Sequence, residues 1–201
     1  MDGNKEITED DRTVIGNANP KIYGGLTNTF TWKGFDLSVF LNFSIGNKIY
    51  GANKMYYTKF NNRWRNTLKD EAMSRFTVIN DKGEYILNDP TQLAAVNKGH
   101  NYVSVEGSSS LYFHSGYVED GSFLKINNIS LGYTLPKELV RKIKLSNIRF
   151  YATGYNLYTW TKYSGYDPEV NTCANNGLTP GIDWGAYPSA ISVVFGANIT
   201  F

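Results

Sequence analysis

Between Tyr163 and Asn171 the chain reads YSGYDPEVN, a run of aromatic rings and carboxylates in nine residues. Tyr163 and Tyr166 offer flat faces on which a sugar could stack. Asp167 and Glu169 offer acceptors for its hydroxyl groups. Trp160 lies just before this run, and Trp184 and Tyr187 follow it. Trp160, Tyr163, Tyr166, Asp167, Trp184 and Tyr187 therefore form a candidate ligand-binding set. The same run also suits a rigid loop that touches no ligand, because Asp167-Pro168 is a turn former. A second stretch, KMYYTKFNNRWRNTLKDEAMSRF, interleaves Lys54, Lys59, Arg63, Arg65, Lys69 and Arg75 with Tyr56, Tyr57, Phe60 and Trp64. It reads either as a surface for an acidic or sugar-like ligand or as a solvated loop with a short helix.

Catalysis finds little support. Glu119 and Asp120 are adjacent carboxylates, but VEDG ahead of a strand is turn chemistry. His100 and His114 have no ligand spacing and no evident partner. Cys173 is the only cysteine, which excludes a disulfide framework and a multi-cysteine metal site. No enzyme, metal or cofactor is expected. The formal net charge of +2 gives no electrostatic case for nucleic acid. NFS, NIS and NIT, from Asn42, Asn128 and Asn198, match the glycosylation triplet but read as polar strand positions.

The elements that would carry these loops are strands. Of 201 residues, 15 are Tyr and 19 are Gly, and charged residues make up 19%, a turn-rich all-β profile. In KIYGGLTNTFTWKGFDLSVFLNFSIG, Lys33-Gly34 separates two alternating runs as a two-residue turn. Pairing around it sets Trp32 against Phe35, Phe30 against Leu37, Leu26 against Leu41 and Ile22 against Ile45. The other face pairs Thr31 with Asp36, Thr29 with Ser38 and Tyr23 with Ser44. Asn28–Val39 and Thr27–Phe40 are the blemishes. A slip of one residue would destroy this sorting, so the register is strongly specified. Each strand reaches about ten residues, the ~9–11 that a tilted transmembrane strand needs. Trp32 and Phe35 then fall at the turn end as membrane-interface aromatics.

A third strand, in YVEDGSFLKINNISLGYTLP, puts Ile129, Leu131 and Tyr133 on one face, while Leu124 and Ile126 have the opposite parity. A bulge or emergence from a membrane would account for the switch. PKELVRKIKLSN makes a short connection with a helical turn behind Pro136. The fourth strand, IRFYATGYNLYTW, alternates Ile148, Phe150, Ala152 and Gly154 with Arg149, Thr153 and Tyr155. The last, ending at Phe201, alternates Ile191, Val193, Phe195, Ala197, Ile199 and Phe201 with mostly polar residues. Short turns follow strands one and three, and long loops follow two and four, as in an up-and-down membrane barrel. Residues 1–20 then read as an extracellular loop segment and 21–201 as barrel strands, with long extracellular loops at 47–116 and 161–189. The N-terminus, MDGNKEITEDDR, has no apolar segment of a signal peptide, so the start of such a barrel is expected elsewhere.

Four pieces carry a family resemblance: YGGLTNTFTWKGFDLSVFLNFSIGNKIY, YVEDGSFLKINNISLGYTLP, TGYNLYTWTKYSGYDPEVN and GIDWGAYPSAISVVFGANITF. In this order they resemble the C-terminal region of SusC/RagA-type TonB-dependent outer-membrane transporters. The resemblance implies the C-terminal segment of a large antiparallel transmembrane β-barrel of the 22-stranded, plugged type, with about five long strands and two long extracellular loops. It implies residence in the outer membrane of a Gram-negative cell, embedded in lipid. It implies import of oligosaccharides or peptides, energy through a TonB complex, and a SusD-like surface lipoprotein as partner. TonB would be contacted through an N-terminal region and a plug that this chain lacks. Phe195, Ile199 and Phe201 resemble the terminal signal read by the barrel-assembly machinery. The competing reading is a soluble all-β carbohydrate-binding module, which requires a second sheet over the apolar faces.

Overall fold

The computed structural model describes residues 12–57, 66, 69–100, 115–172 and 179–201. Lys59, Phe60, Arg63, Trp64, Arg65, His114 and Cys173 lie outside them.

Five long strands form one antiparallel sheet: β1 (Ile22–Trp32), β2 (Phe35–Ile45), β5 (Phe123–Thr134), β6 (Asn147–Thr161) and β8 (Ser192–Thr200), in the order β1-β2-β5-β6-β8. The first hairpin has the register that its alternation dictates, from Ile22 opposite Ile45 to Trp32 opposite Phe35. Lys33 and Gly34 both take positive φ, +48° and +89°. That is the turn whose twist matches the flanking strands. The Phe40 blemish has a steric explanation. Its ring crosses the neighbouring strand at Gly25, where a Cβ would lie 2.7 Å from it.

The parity switch in β5 is a bulge. Phe40 pairs with Asn128 and Leu41 with Ile126, so Asn127 is the extra residue. On the other side, Ile126 pairs with Tyr158 and Asn128 with Tyr155. Three steps of β6 thus span two of β5, and Asn156 there takes φ +53°. The two irregularities compensate. Leu37, Val39, Leu41 and Phe43 of β2 meet Leu131, Ile129, Ile126 and Leu124 of β5, and these meet Ala152, Gly154, Tyr158 and Trp160 of β6. One face is therefore apolar along its whole length. Phe150 and Ala152 continue it to Ala197 and Phe195 of β8.

The connections alternate. Lys33-Gly34 joins β1 to β2, and α4 (Lys137–Lys142) lies between β5 and β6 at the same end. Thr134 N–H donates to Gly34 O, and Ser146 N–H to Thr200 O, both at 2.8 Å, so turn, helix and the end of β8 share one rim. The opposite end carries the long connections. There a small sheet forms, with β3 (Lys48–Gly51) between β4 (Val118–Asp120) and β7 (Ile182–Asp183). These short strands went unseen in the sequence, because two to four residues cannot establish a period.

Residues 51–117 form a separate compact unit. Within it are α1 (Ala52–Tyr57), α2 (Lys69–Met73) and α3 (Pro90–Val96). Asp89 caps α3, accepting from Thr91 and Gln92 N–H at 3.0 Å, and Pro90 occupies the first helical position. The Gln92 amide bonds hold the Asp89 carboxyl below its ordinary range. The turn expected at Asp81-Lys82-Gly83 is present: Ile79 bridges Tyr85, and Asn80 Oδ1 accepts from Lys82 and Glu84 N–H. Among the described residues no helix is long and apolar enough to cross a membrane, which says nothing of strands.

Candidate functional site

The non-apolar face of the sheet is built by alternation, and its polar groups find partners across strands. Arg149 on β6 reaches over Gly132 to Asp36 on β2. Its Nε donates to Asp36 Oδ1 at 2.9 Å and its Nη2 to Oδ2. A Cβ at Gly132 would lie 2.3 Å from Arg149 Nη2, so the glycine clears the path of the fork. Ser130 and Thr153 share a 2.8 Å hydroxyl bond. Gly196 of β8 makes the same kind of room for the Tyr151 ring.

Near the long-loop end the wall carries Lys125, a cation only 3% exposed. A buried ammonium must be paired. Its partner is Glu169, from the loop after β6. The other carboxylate oxygen of Glu169 accepts from Asn42 Nδ2 at 2.9 Å. Asn42 Oδ1 is buried and has no hydrogen-bond partner among the described residues. A cleft of about 460 Å³ opens here, lined by Tyr23, Asn42, Ser44, Asn47, Pro168 and Glu169 among others.

Residues 162–172 and 179–191 are cross-tied. Tyr163 is 7% exposed, and its hydroxyl donates to Asp183 Oδ2. Asp183 Oδ1 accepts from Gly185 N–H at 2.6 Å and Ala186 N–H at 3.2 Å. Burial, then the bond to Asp183, pushes the Tyr163 phenol well above its ordinary value. Gly165 is necessary for this fold, since a Cβ there would lie 2.4 Å from the Tyr163 ring. Asp167 accepts from Glu169 N–H at 3.0 Å and from Ser189 N–H at 3.1 Å. Burial pushes its carboxyl up, but those donors and the Lys125 charge outweigh burial and hold it below the ordinary range. Glu119 accepts from the Ser164 N–H and hydroxyl, each at 2.8 Å. The adjacent carboxylate Asp120 accepts from Ser122, whose hydroxyl, then amide, lowers its pKa. Glu119 and Asp120 are thus committed to holding loops.

The expected ligand set divides accordingly. Tyr166 and Tyr187 are 80% and 94% exposed and present open rings. Trp184 is about half exposed, its N–H on the backbone donating to Thr172 Oγ1 at 2.9 Å. Tyr163 and Asp167 brace the loop that carries them. Trp160 stands apart, opposite Leu124 on the apolar face and edge-on to Tyr158 at 4.8 Å. At the short-turn rim, Trp32 is exposed with Lys33 Nζ 5.0 Å from its ring, and Phe35 packs on Tyr133 at 4.4 Å. Phe195 lies exposed within β8, and Ile199 and Phe201 lie exposed at or just past its end. Lys125, Asp183 and the Asp36–Arg149 pair were missed by sequence reasoning. A lysine inside the apolar run SFLKIN is a visible signal, but its partner lies 44 residues on. No group of three or more metal-ligating side chains occurs among the described residues.

No protein-family model matches the chain. Among characterised proteins, it is 31% identical over 205 residues to TonB-dependent receptor P3 of Formosa agariphila, a match covering all of this chain and 18% of the receptor. It is 28% identical to TonB-dependent receptor SusC of Bacteroides thetaiotaomicron, covering 99% of this chain and 17% of SusC. In three dimensions it superposes on a chain of the RagAB peptide importer in the closed-closed state with a TM-score of 0.75 at 21% identity, and in the open-open state with 0.72 at 25%. Each match covers 98% of this chain and 19% of the importer chain. The chain spans less than a fifth of the length of the curated relatives it matches. Over its whole length the chain is similar in sequence to TonB-dependent receptors and in fold to the RagAB importer chain, and it corresponds to the C-terminal region of the SusC/RagA-type transporters.

Proposed function

We propose that this chain is the C-terminal wall of a TonB-dependent importer in the outer membrane of a Gram-negative cell. The observation that carries this reading is the exposed apolar face that continues over five strands. Phe30 is 60% exposed, Leu131 49%, Phe150 52% and Phe195 78%. In water such a face would be a large unburied patch. Against hydrocarbon it is the surface a barrel needs, with the polar face turned to the lumen. The soluble-module reading lacks the second sheet it requires among the described residues.

In this reading β1 and β8 pair with other strands of a 22-stranded barrel. Trp32 and Phe35 lie at the short-turn membrane interface. Phe195, Ile199 and Phe201 form the terminal assembly signal. The cargo is an oligosaccharide or peptide, the capturing partner a SusD-like lipoprotein, and the energy comes through TonB by way of an N-terminal region. RagAB, a peptide importer, supports a peptide cargo, and SusC supports the family without naming a cargo. Tyr166, Trp184 and Tyr187 are assigned to contact it, a role that their exposure supports.

The test is Leu131→Arg against Thr29→Lys in the protein at its natural length. A charge on a lipid-facing strand costs about 2–4 kcal/mol at mid-depth and less towards the interface, where Leu131 lies two residues in from Tyr133, while lumen positions tolerate it. Leu131→Arg is expected to lower the folded fraction in the outer membrane, read as heat-modifiable migration, and Thr29→Lys to leave it unchanged. A soluble protein with Leu131 in water would accept arginine there and so refute the reading.

A further inference from the structure

The connection between β5 and β6 is more than a link. Between Lys137 and Lys144 it holds four cations, Lys137, Arg141, Lys142 and Lys144, against one carboxylate, Glu138. All four cations are exposed, and none has an ion-pair partner among the described residues. Set among them are two exposed apolar side chains, Leu139 at 52% and Ile143 at 59%. Val140 is 1% exposed and fixes α4 to the body, where α4 packs against β6. The backbone bonds Thr134–Gly34 and Ser146–Thr200 put this segment on the rim that also holds Trp32, Lys33 and Phe201.

We propose that this segment is a docking surface for anionic phospholipid headgroups in the leaflet at the short-turn end of the sheet. The inference rests on the membrane-wall reading and adds the chemistry of the lipid. Three features converge on it. The cations are uncompensated, so the patch complements negative charge. They flank apolar side chains, the arrangement of a segment lying in the headgroup plane. The patch also borders the apolar face, so headgroups beside that face come within reach of long basic side chains. A pocket for a free anion would instead need donors converging on one enclosed point, and these four are spread along eight residues in solvent.

The experiment places the protein at its natural length in phosphatidylcholine bilayers with trace spin-labelled phosphatidylglycerol or phosphatidylcholine. It measures the motionally restricted fraction of each label. The expected result is a threefold to tenfold preference for phosphatidylglycerol, within the few-fold that each basic residue near an anionic surface contributes, about fivefold per cation. Replacing Lys137, Arg141, Lys142 and Lys144 together by Gln should bring the ratio close to one, as should molar salt. Glu138→Lys should raise it, and this variant serves where the quadruple one does not fold. Equal restriction of the two labels in the unaltered protein overturns the proposal. So does a preference that survives the quadruple substitution in a folded protein. Absence of any restricted lipid defeats the membrane-wall reading itself, a result distinct from lost selectivity.

Discussion

The large sheet and the loop layer at its far end are solvated in opposite ways. On the sheet, Phe30, Leu131, Phe150 and Phe195 stand open, and the buried residues include a cation and a hydroxyl, Lys125 and Thr153. In the loop layer the order is the familiar one. Ile49 is 1% exposed and Tyr163 7%, while the buried Asp183 is bonded on both oxygens. The loop layer is folded for water and the strands for hydrocarbon. One chain can do both because alternation assigns each strand two solvents, whereas a loop must satisfy its own backbone.

The two regions are fastened together at Lys125 and Glu169, and removing that tie should give the largest effect. Glu169→Gln leaves a buried ammonium with a neutral partner. Breaking a fully buried pair costs about 3–5 kcal/mol. The Glu169 side chain is 33% exposed, so water screens part of this, and about 2–3 kcal/mol of loop attachment is expected to be lost. Hydrogen exchange of the amides of residues 169–172 should then accelerate by about 30- to 150-fold. Lys125→Met should accelerate it far less, because the freed carboxylate can turn to water while the methionine stays buried. If Lys125→Met proves the worse of the two, the loop is not held by the pair as described.

That tie also marks where the sequence stops being legible. The first hairpin could be read to the residue pair because both of its faces are sorted, and a slip would have mixed Leu26 and Leu41 with Thr and Asn. The parity change between Ile126 and Ile129 announced a bulge, and Asn127 is that bulge. Nothing local announces Glu169 as the partner of Lys125, or Asp183 as the acceptor for Tyr163. These pairs are separated by 44 and 20 residues, and a loop has no period to propagate a register across them. The aromatic rings of the second loop were visible as chemistry, but which rings are braces and which are open depends on these unseen bonds.

The loop layer should also loosen at both ends of the pH scale while the strands stay intact. Asp167 has a folded pKa below its unfolded value. Its contribution is present above the unfolded value of about 3.9 and is lost as pH falls through the folded one. Tyr163 has a raised folded pKa, so its contribution is present below about pH 10 and is lost as pH climbs beyond it. Limited proteolysis within residues 162–172 and 179–191 is expected to quicken below about pH 4 and above about pH 10. Heat-modifiable migration should not change over the same interval. Tyr163→Phe should remove the alkaline limb and cost about 2 kcal/mol from the lost bond to the buried Asp183 carboxylate. An alkaline limb that persists in Tyr163→Phe would move its origin to another group.

The smallest expected effect is at the other rim, where two opposing terms meet in one residue. Lys33 is not a glycine, yet it takes φ +48° in the turn between β1 and β2. Asparagine tolerates that conformation better, so Lys33→Asn should gain about 0.5 kcal/mol from the backbone. The same change removes the ammonium 5.0 Å from the Trp32 ring, which at an exposed site contributes about 0.5–1 kcal/mol. The net effect in denaturant titration should lie within about 0.5 kcal/mol of zero. The two terms separate in a Trp32→Leu background, where the cation has no ring to face and only the backbone gain remains. There Lys33→Asn should stabilise. If it is neutral in both backgrounds, the exposed cation–ring contact contributes nothing and the turn carries no measurable strain.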